Sequence, residues 1–153
     1  MHDVFLKMID DAHKNVHKTY RGAELLTADR DLTKIGTPWK MVFEAPTAPG
    51  GAVLLEYIDG MGFKIPQPMP RPVGVRPIHV PLLLALDKAE ELVKKQGVPS
   101  PYMHIALDFV LNPNVTEPHY VFQTVRDVAF VGTHTKTVEV VPADVFVPVP
   151  AHA

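Results

Sequence analysis

The chain has 153 residues, 46% hydrophobic and 21% charged, with a formal net charge of −2 and no cysteine. That length and balance fit one globular domain spanning 1–153, with no basic excess to argue for nucleic acid. The missing cysteines exclude disulfides, thiolate catalysis and cysteine-based zinc or iron–sulfur sites. No run approaches the ~20 apolar residues of a membrane-spanning helix. Met1-His2-Asp3 leads straight into a helical pattern, without the basic-then-apolar order of a signal peptide. The expectation is a cytoplasmic protein, or a mature form whose leader has been removed.

Residues 3–19 predict an amphipathic helix: Val4, Phe5, Met8, Ile9, Ala12 and Val16 recur at steps of three and four, with Asp3 as its cap. Gly22 ends or bends it. Leu25, Leu26, Leu32 and Ile35 then suggest a short second helix before Gly36, capped by Thr27 or Asp29. Residues 38–44 predict a strand with Trp39, Met41 and Phe43 on its buried face. A Pro/Gly-rich turn leads to a returning strand over 52–58, and Asp59-Gly60 turns the chain into a third strand over 61–65.

A connector follows over 66–80, with prolines at 66, 68, 70, 72 and 77. Proline lacks the N–H and fixes φ, so this segment predicts a stiff extended crossing. Pro81 suits the first turn of a helix whose stripe is Leu82, Ala85, Leu86, Ala89, Leu92 and Val93, ending at Gly97. Residues 102–111 predict a long strand, broken by Asn112-Pro113-Asn114. Within 118–140 the Val, Phe, Tyr and Thr content predicts consecutive antiparallel strands, with Thr133-His134-Thr135-Lys136 as a turn. The tail Val145–Pro150 predicts an edge or extended arm.

Residues 3–65 and 81–141 run through the same order of helix, connection and strands, with Trp39 matching Tyr102. The fold class expected is therefore α+β, built from two helix-plus-antiparallel-strand pseudo-repeats with the helices packed on one sheet face. In the second unit, Ala85 and Ala89, Tyr120-Val121-Phe122 and the run Phe130 to Val138 resemble a PepSY-type unit. A tandem of such units is similar to the β-lactamase-inhibitor-protein-like architecture. The chain departs from that pattern at Gly132, where such units usually carry Asp, and at Lys136, where they usually carry Gly. The resemblance implies a non-catalytic binding or inhibitory module, often exported.

Eight histidines accompany the absence of cysteine. Asp10, His13 and His17 lie at helical spacing and offer three ligands for a metal, beside the blander reading of a solvated helix face. His2 and His152 lie near the termini. His104, His119 and His134 fall in or beside predicted strands, and with Asp108, Glu117 and Asp127 they form a candidate acid/base cluster. Tyr120 joins the candidate binding residues. Ser100, the only serine, sits in a proline-flanked loop, and no nucleophile elbow, Walker loop or Rossmann glycine triplet occurs. No cofactor is expected.

Two functions follow. The first is a non-enzymatic module that binds or inhibits a protein partner, using the exposed sheet face and loops 45–51 and 112–118, with Trp39, Tyr102, Tyr120 and Phe122 as aromatic candidates. Association of copies through a sheet edge belongs to the same reading. The alternative is a small-molecule-binding or catalytic cavity between sheet and helices, with histidines and aspartates at its mouth.

Overall fold

The computed structural model describes residues 4–109 and 112–143. The expectations placed on Asp3, His2, His152, the end of the strand at 110–111 and the 145–150 arm lie outside the described residues.

The apolar stripe of the first segment folds as expected except at Val4, which is 80% exposed. Helix α1 (Val4–His17) buries Phe5, Met8, Ile9, Ala12 and Val16 and turns Lys7, Asp10, Asp11 and Lys14 outward as i,i+4 ion pairs. Lys14 and His17 sit in its last turn, where a cation meets the negative end of the helix dipole. Pairs this exposed to solvent add little to stability. Burial of the stripe holds the helix in place.

Among the described residues nine antiparallel strands form one open sheet: β1 (Glu24–Asp31), β2 (Trp39–Glu44), β3 (Gly51–Ile58), β4 (Gly62–Phe63), β5 (Gln67–Pro70), β6 (His104–Asp108), β7 (His119–Gln123), β8 (Asp127–Gly132) and β9 (Val138–Pro142). The order across the sheet is β4-β3-β2-β1-β6-β7-β8-β9, and β5 lies beside β4 along the outer edge of β3. The central pair is β1 with β6. From it one meander runs outward through β2, β3 and β4, and the other through β7, β8 and β9.

Alternation decides the faces. In β2 Trp39, Met41 and Phe43 are buried while Lys40 is exposed. Their cross-strand partners Tyr57, Leu55 and Val53 share that face. On the other side Ile105 and Leu107 pair with Phe122 and Tyr120. Helix α1 and the second helix, α2 (Leu86–Lys95), join this face in one hydrophobic core that contains Phe5, Ile9, Ala89, Val93, Trp39, Phe43, Tyr120 and Phe122. Trp39 meets α1 as its parity predicts: its ring lies 5.0 Å from that of Phe5, and it is 8% exposed. No helix among the described residues is long and apolar enough to cross a membrane.

The structure corrects three local expectations. The helix expected around Leu25–Ile35 is β1 and an exposed loop, with Ile35 fully in solvent. A β-bulge at Leu26 explains the misreading. It lets Leu25 and Ala28 both face the core opposite Phe43 and Met41, so a strand shows the i,i+3 apolar spacing of a helix. The connector straps the bulge, because the Ile78 N–H donates to the Leu25 carbonyl at 2.6 Å. Pro81 does not open α2. The helix begins at Leu86, and Leu82 and Leu84 reach the core from the bent loop before it. Within the connector a turn at Val73-Gly74, with Gly74 at a φ of 77°, interrupts the extended crossing that was expected, and β5 is an edge strand. It packs so closely on Gly50 that a Cβ there would come within 2.8 Å of the Met69 carbonyl, at a φ of +85°. Glycine is required at that position.

A candidate binding groove between the helices and the sheet

Between the first turns of α1 and α2 and the β2–β4 side of the sheet lies a groove of about 660 Å³. Phe5 and Met8 of α1, Trp39 of β2, Tyr57 of β3 and Phe63 of β4 line it with apolar surface. The register Tyr57↔Phe63 across the Asp59-Gly60 turn brings those two rings to 4.9 Å. Charged side chains from α1, β1, the β3–β4 turn and α2 stand around these rings. Lys7 bonds Asp11 along α1 at 2.9 Å, and Arg30 of β1 bonds Asp59 at 2.9 Å. From α2 come Asp87 and Glu90, the latter bonded to Lys94 at 2.8 Å. Arg30 is largely buried and its Nε has no hydrogen-bond partner.

None of the predicted acid/base residues lines this groove. Tyr120 is fully buried, and its hydroxyl donates to the Leu84 carbonyl at 2.7 Å, so it belongs to the core. Tyr102 and Phe122 are core residues too, stacked at 5.1 Å. His104 and Asp108 do come near one another's network, on the sheet face away from the helices. The His104 Nε2–H donates to Asp29 at 2.9 Å, and the Thr27 hydroxyl donates to Asp108. The Asp29 bond holds the His104 imidazole above its usual range against the opposing effect of burial. Burial pushes the Asp108 carboxyl up, opposed by Thr27. His119 is the cross-strand neighbour of Asp108, but its Nδ1–H is committed to the Glu117 carbonyl at 3.0 Å. Asp127 caps no shared site. Its backbone closes the Thr124–Asp127 turn.

Glu117 and His134 meet at the turn between β8 and β9. The Glu117 carboxylate accepts from the His134 and Thr135 N–H groups at 2.6 and 2.9 Å, and from the Thr135 hydroxyl at 2.8 Å. Burial alone pushes this carboxyl up. The three donors outweigh it and hold the group below the usual carboxylate range. The His134 side chain remains in solvent. Gly132 is where it is because a Cβ would stand 2.7 Å from both Glu117 carboxylate oxygens. Lys136 completes the turn with a left-handed φ of 60°.

The helix histidines do not converge on a metal. Burial lowers the His13 imidazole below its usual range. Its Nδ1–H donates to the Ile9 carbonyl at 2.9 Å, and its ring sits edge-on to Phe43 at 5.0 Å. His17 donates to the Ala23 carbonyl at 2.7 Å, and Asp10 pairs with Lys14. His13 thus faces the sheet and not open solvent as its helical angle predicts. Among the described residues no group of three His, Asp or Glu side chains can hold a metal ion.

Sequence reasoning missed Arg30, Asp59, Asp87 and Glu90 as groove residues, because each has an ordinary local role in a strand, a turn or a helix. One signal was present. The Asp59-Gly60 turn already sets Tyr57 against Phe63.

No family model matches the chain, and no curated protein sequence matches it. Its fold is similar to the crystal structure of a "putative lipoprotein" from Clostridium difficile 630, with a TM-score of 0.60 and 13% identity over 88% of this chain and 91% of that one. At that identity the likeness is one of fold.

Proposed function

We propose that this chain is a non-enzymatic binding module that recognises a segment of another protein in the groove between its helices and the β2–β4 side of the sheet. The observation that carries this reading is the lining itself. Four aromatic rings, those of Phe5, Trp39, Tyr57 and Phe63, line a space that the described residues leave open, with charged groups around them. Aromatic anchors within a polar rim are what protein recognition surfaces are built from. Among the described residues the lining holds no histidine, serine or threonine, and two of its carboxylates are tied to Lys7 and Arg30. That composition favours binding over acid/base or nucleophilic chemistry.

Supporting the kinship with PepSY-type tandems, each helix is followed by an antiparallel meander, and the two meanders join at the β1–β6 pair. Lys136 adopts the left-handed backbone at the position where such units usually carry glycine. Pseudo-repeats over 3–65 and 81–141 are the reading these features favour.

The test is selection of a random peptide library on the immobilised chain, repeated on Phe63→Glu. Phe63 sits half-buried in a two-residue edge strand, so the variant should keep the parental circular dichroism. Peptides enriched on the parent and lost on Phe63→Glu support the groove. Peptides held equally by both, or no enrichment at all, defeat it.

A further inference from the structure

We infer that the groove accepts a cationic side chain, the arginine or lysine of a partner segment, with its apolar stem along the aromatic lining and its head group at Asp87. This rests on the reading of the groove as a protein-binding surface. It goes further in naming the chemistry of the residue that enters.

The argument is charge complementarity. Four carboxylates line the groove, those of Asp11, Asp59, Asp87 and Glu90, against the two cations Lys7 and Arg30. The groove therefore gathers an excess of negative charge in a chain whose own net charge is only −2. The cations are also spoken for. Lys7 is held by Asp11, and Arg30 by Asp59. Lys94, from outside the lining, reaches Glu90. The Asp87 carboxylate accepts the Lys88 N–H at 2.9 Å in the first turn of α2, and among the described residues no ion pair reaches it.

An exposed carboxylate above aromatic rings suits an organic cation. The ring faces attract the positive head, and the rings also cover the methylene stem that a lysine or arginine brings. An anionic segment would meet the Asp87 carboxylate, which no cation of the described residues offsets. A purely apolar one would leave Asp87 facing a partly closed groove with nothing to pair it.

Trp39 is the only tryptophan and lines the groove, so its emission reports occupancy directly. The probes are a blocked Leu-Arg-Leu tripeptide and its twin with citrulline in place of arginine, which has the same shape and no charge. The expected result is a saturable shift of Trp39 emission with the arginine peptide. The citrulline twin should need about tenfold more for half-effect, a difference of ~1.4 kcal/mol. Asp87→Asn, with unchanged circular dichroism, should bring the two peptides close together. Equal binding of the twins by the parent overturns the cationic assignment and leaves the groove reading standing. An arginine preference that survives in Asp87→Asn overturns the placement at Asp87. If neither peptide moves Trp39, both readings fall.

Discussion

On the β6–β8 side of the helix-covered face, Tyr102, Tyr120 and Phe122 are packed shut. The Tyr102 hydroxyl donates to the Val98 carbonyl at 3.0 Å and that of Tyr120 to the Leu84 carbonyl, so each ring is sealed and its polar tip is satisfied. On the β2–β4 side, Trp39, Tyr57 and Phe63 have similar chemistry, but α1 and α2 stand apart above them and leave a groove. The difference lies in the approach to α2. Residues 82–84 cross the first side in a bent loop, burying Leu82 and Leu84 and offering the Leu84 carbonyl to the Tyr120 hydroxyl. Among the described residues no such segment crosses the second. The same residue types therefore make core where a strap covers them and a recognition surface where none does.

The sharpest way to break this comparison is Tyr120→Ala. It removes a fully buried ring and orphans the Leu84 carbonyl, so it should cost about 4–5 kcal/mol, a large share of the ~5–15 kcal/mol that holds a domain together. Trp39→Ala should cost less, about 3 kcal/mol, because that ring borders the groove and keeps 8% of its surface exposed where Tyr120 keeps none. Chemical denaturation of both variants followed by circular dichroism reads the ranking, since Trp39→Ala deletes the fluorophore. A larger loss at Trp39 than at Tyr120 would mean that the groove side is the better packed.

Glu117→Ala tests whether the closed side also depends on its polar lock. Three donors lose a charged acceptor, for an expected loss of about 2 kcal/mol. Since the folded carboxyl is held below its unfolded range, this contribution is present above that range and disappears as pH falls through the folded value. Stability curves of parent and variant should converge in acid. Parallel curves down to acid pH would remove Glu117 from the account.

The smallest effect is expected at His104, on the uncovered face. Its folded imidazole is raised, so the bond to Asp29 contributes fully below the unfolded value and is lost as pH rises through the folded one. His104→Gln should cost under about 1 kcal/mol in mild acid and nothing in mild alkali. Asp108, also raised, acts in the same sense at lower pH. A His104→Gln loss that grows with pH would reverse the sign and exclude the Asp29 bond as its origin.

The legible parts of the fold were those where one pattern has one meaning. The alternation Trp39, Met41, Phe43 gave both strand and face, and the stripe from Phe5 to Val16 gave α1. Strand β1 was not legible, because the extra residue at Leu26 shifts parity and only pairing with β2 and β6 reveals it. That error hid the His104–Asp29 pair, since Asp29 seemed to cap a helix. The groove was beyond reach for a related reason. Its lining comes from six elements, and sequence periodicity says which side of an element is buried, not how far apart two helices come to rest.

Strand β5 has a consequence for the sheet as a growing object. The Arg71 N–H points inward to the Gly50 carbonyl, so by the period of two the Met69 N–H points inward as well and Pro68 and Pro70 take the outward positions. Those outward nitrogens carry no hydrogen. A foreign strand arriving there would find acceptors at both residues and a donor at neither, so half of any new ladder is missing before it starts. In the language of polymerisation, β5 is a chain terminator written into the sequence. It stops the sheet from templating a tenth strand along that stretch of its edge.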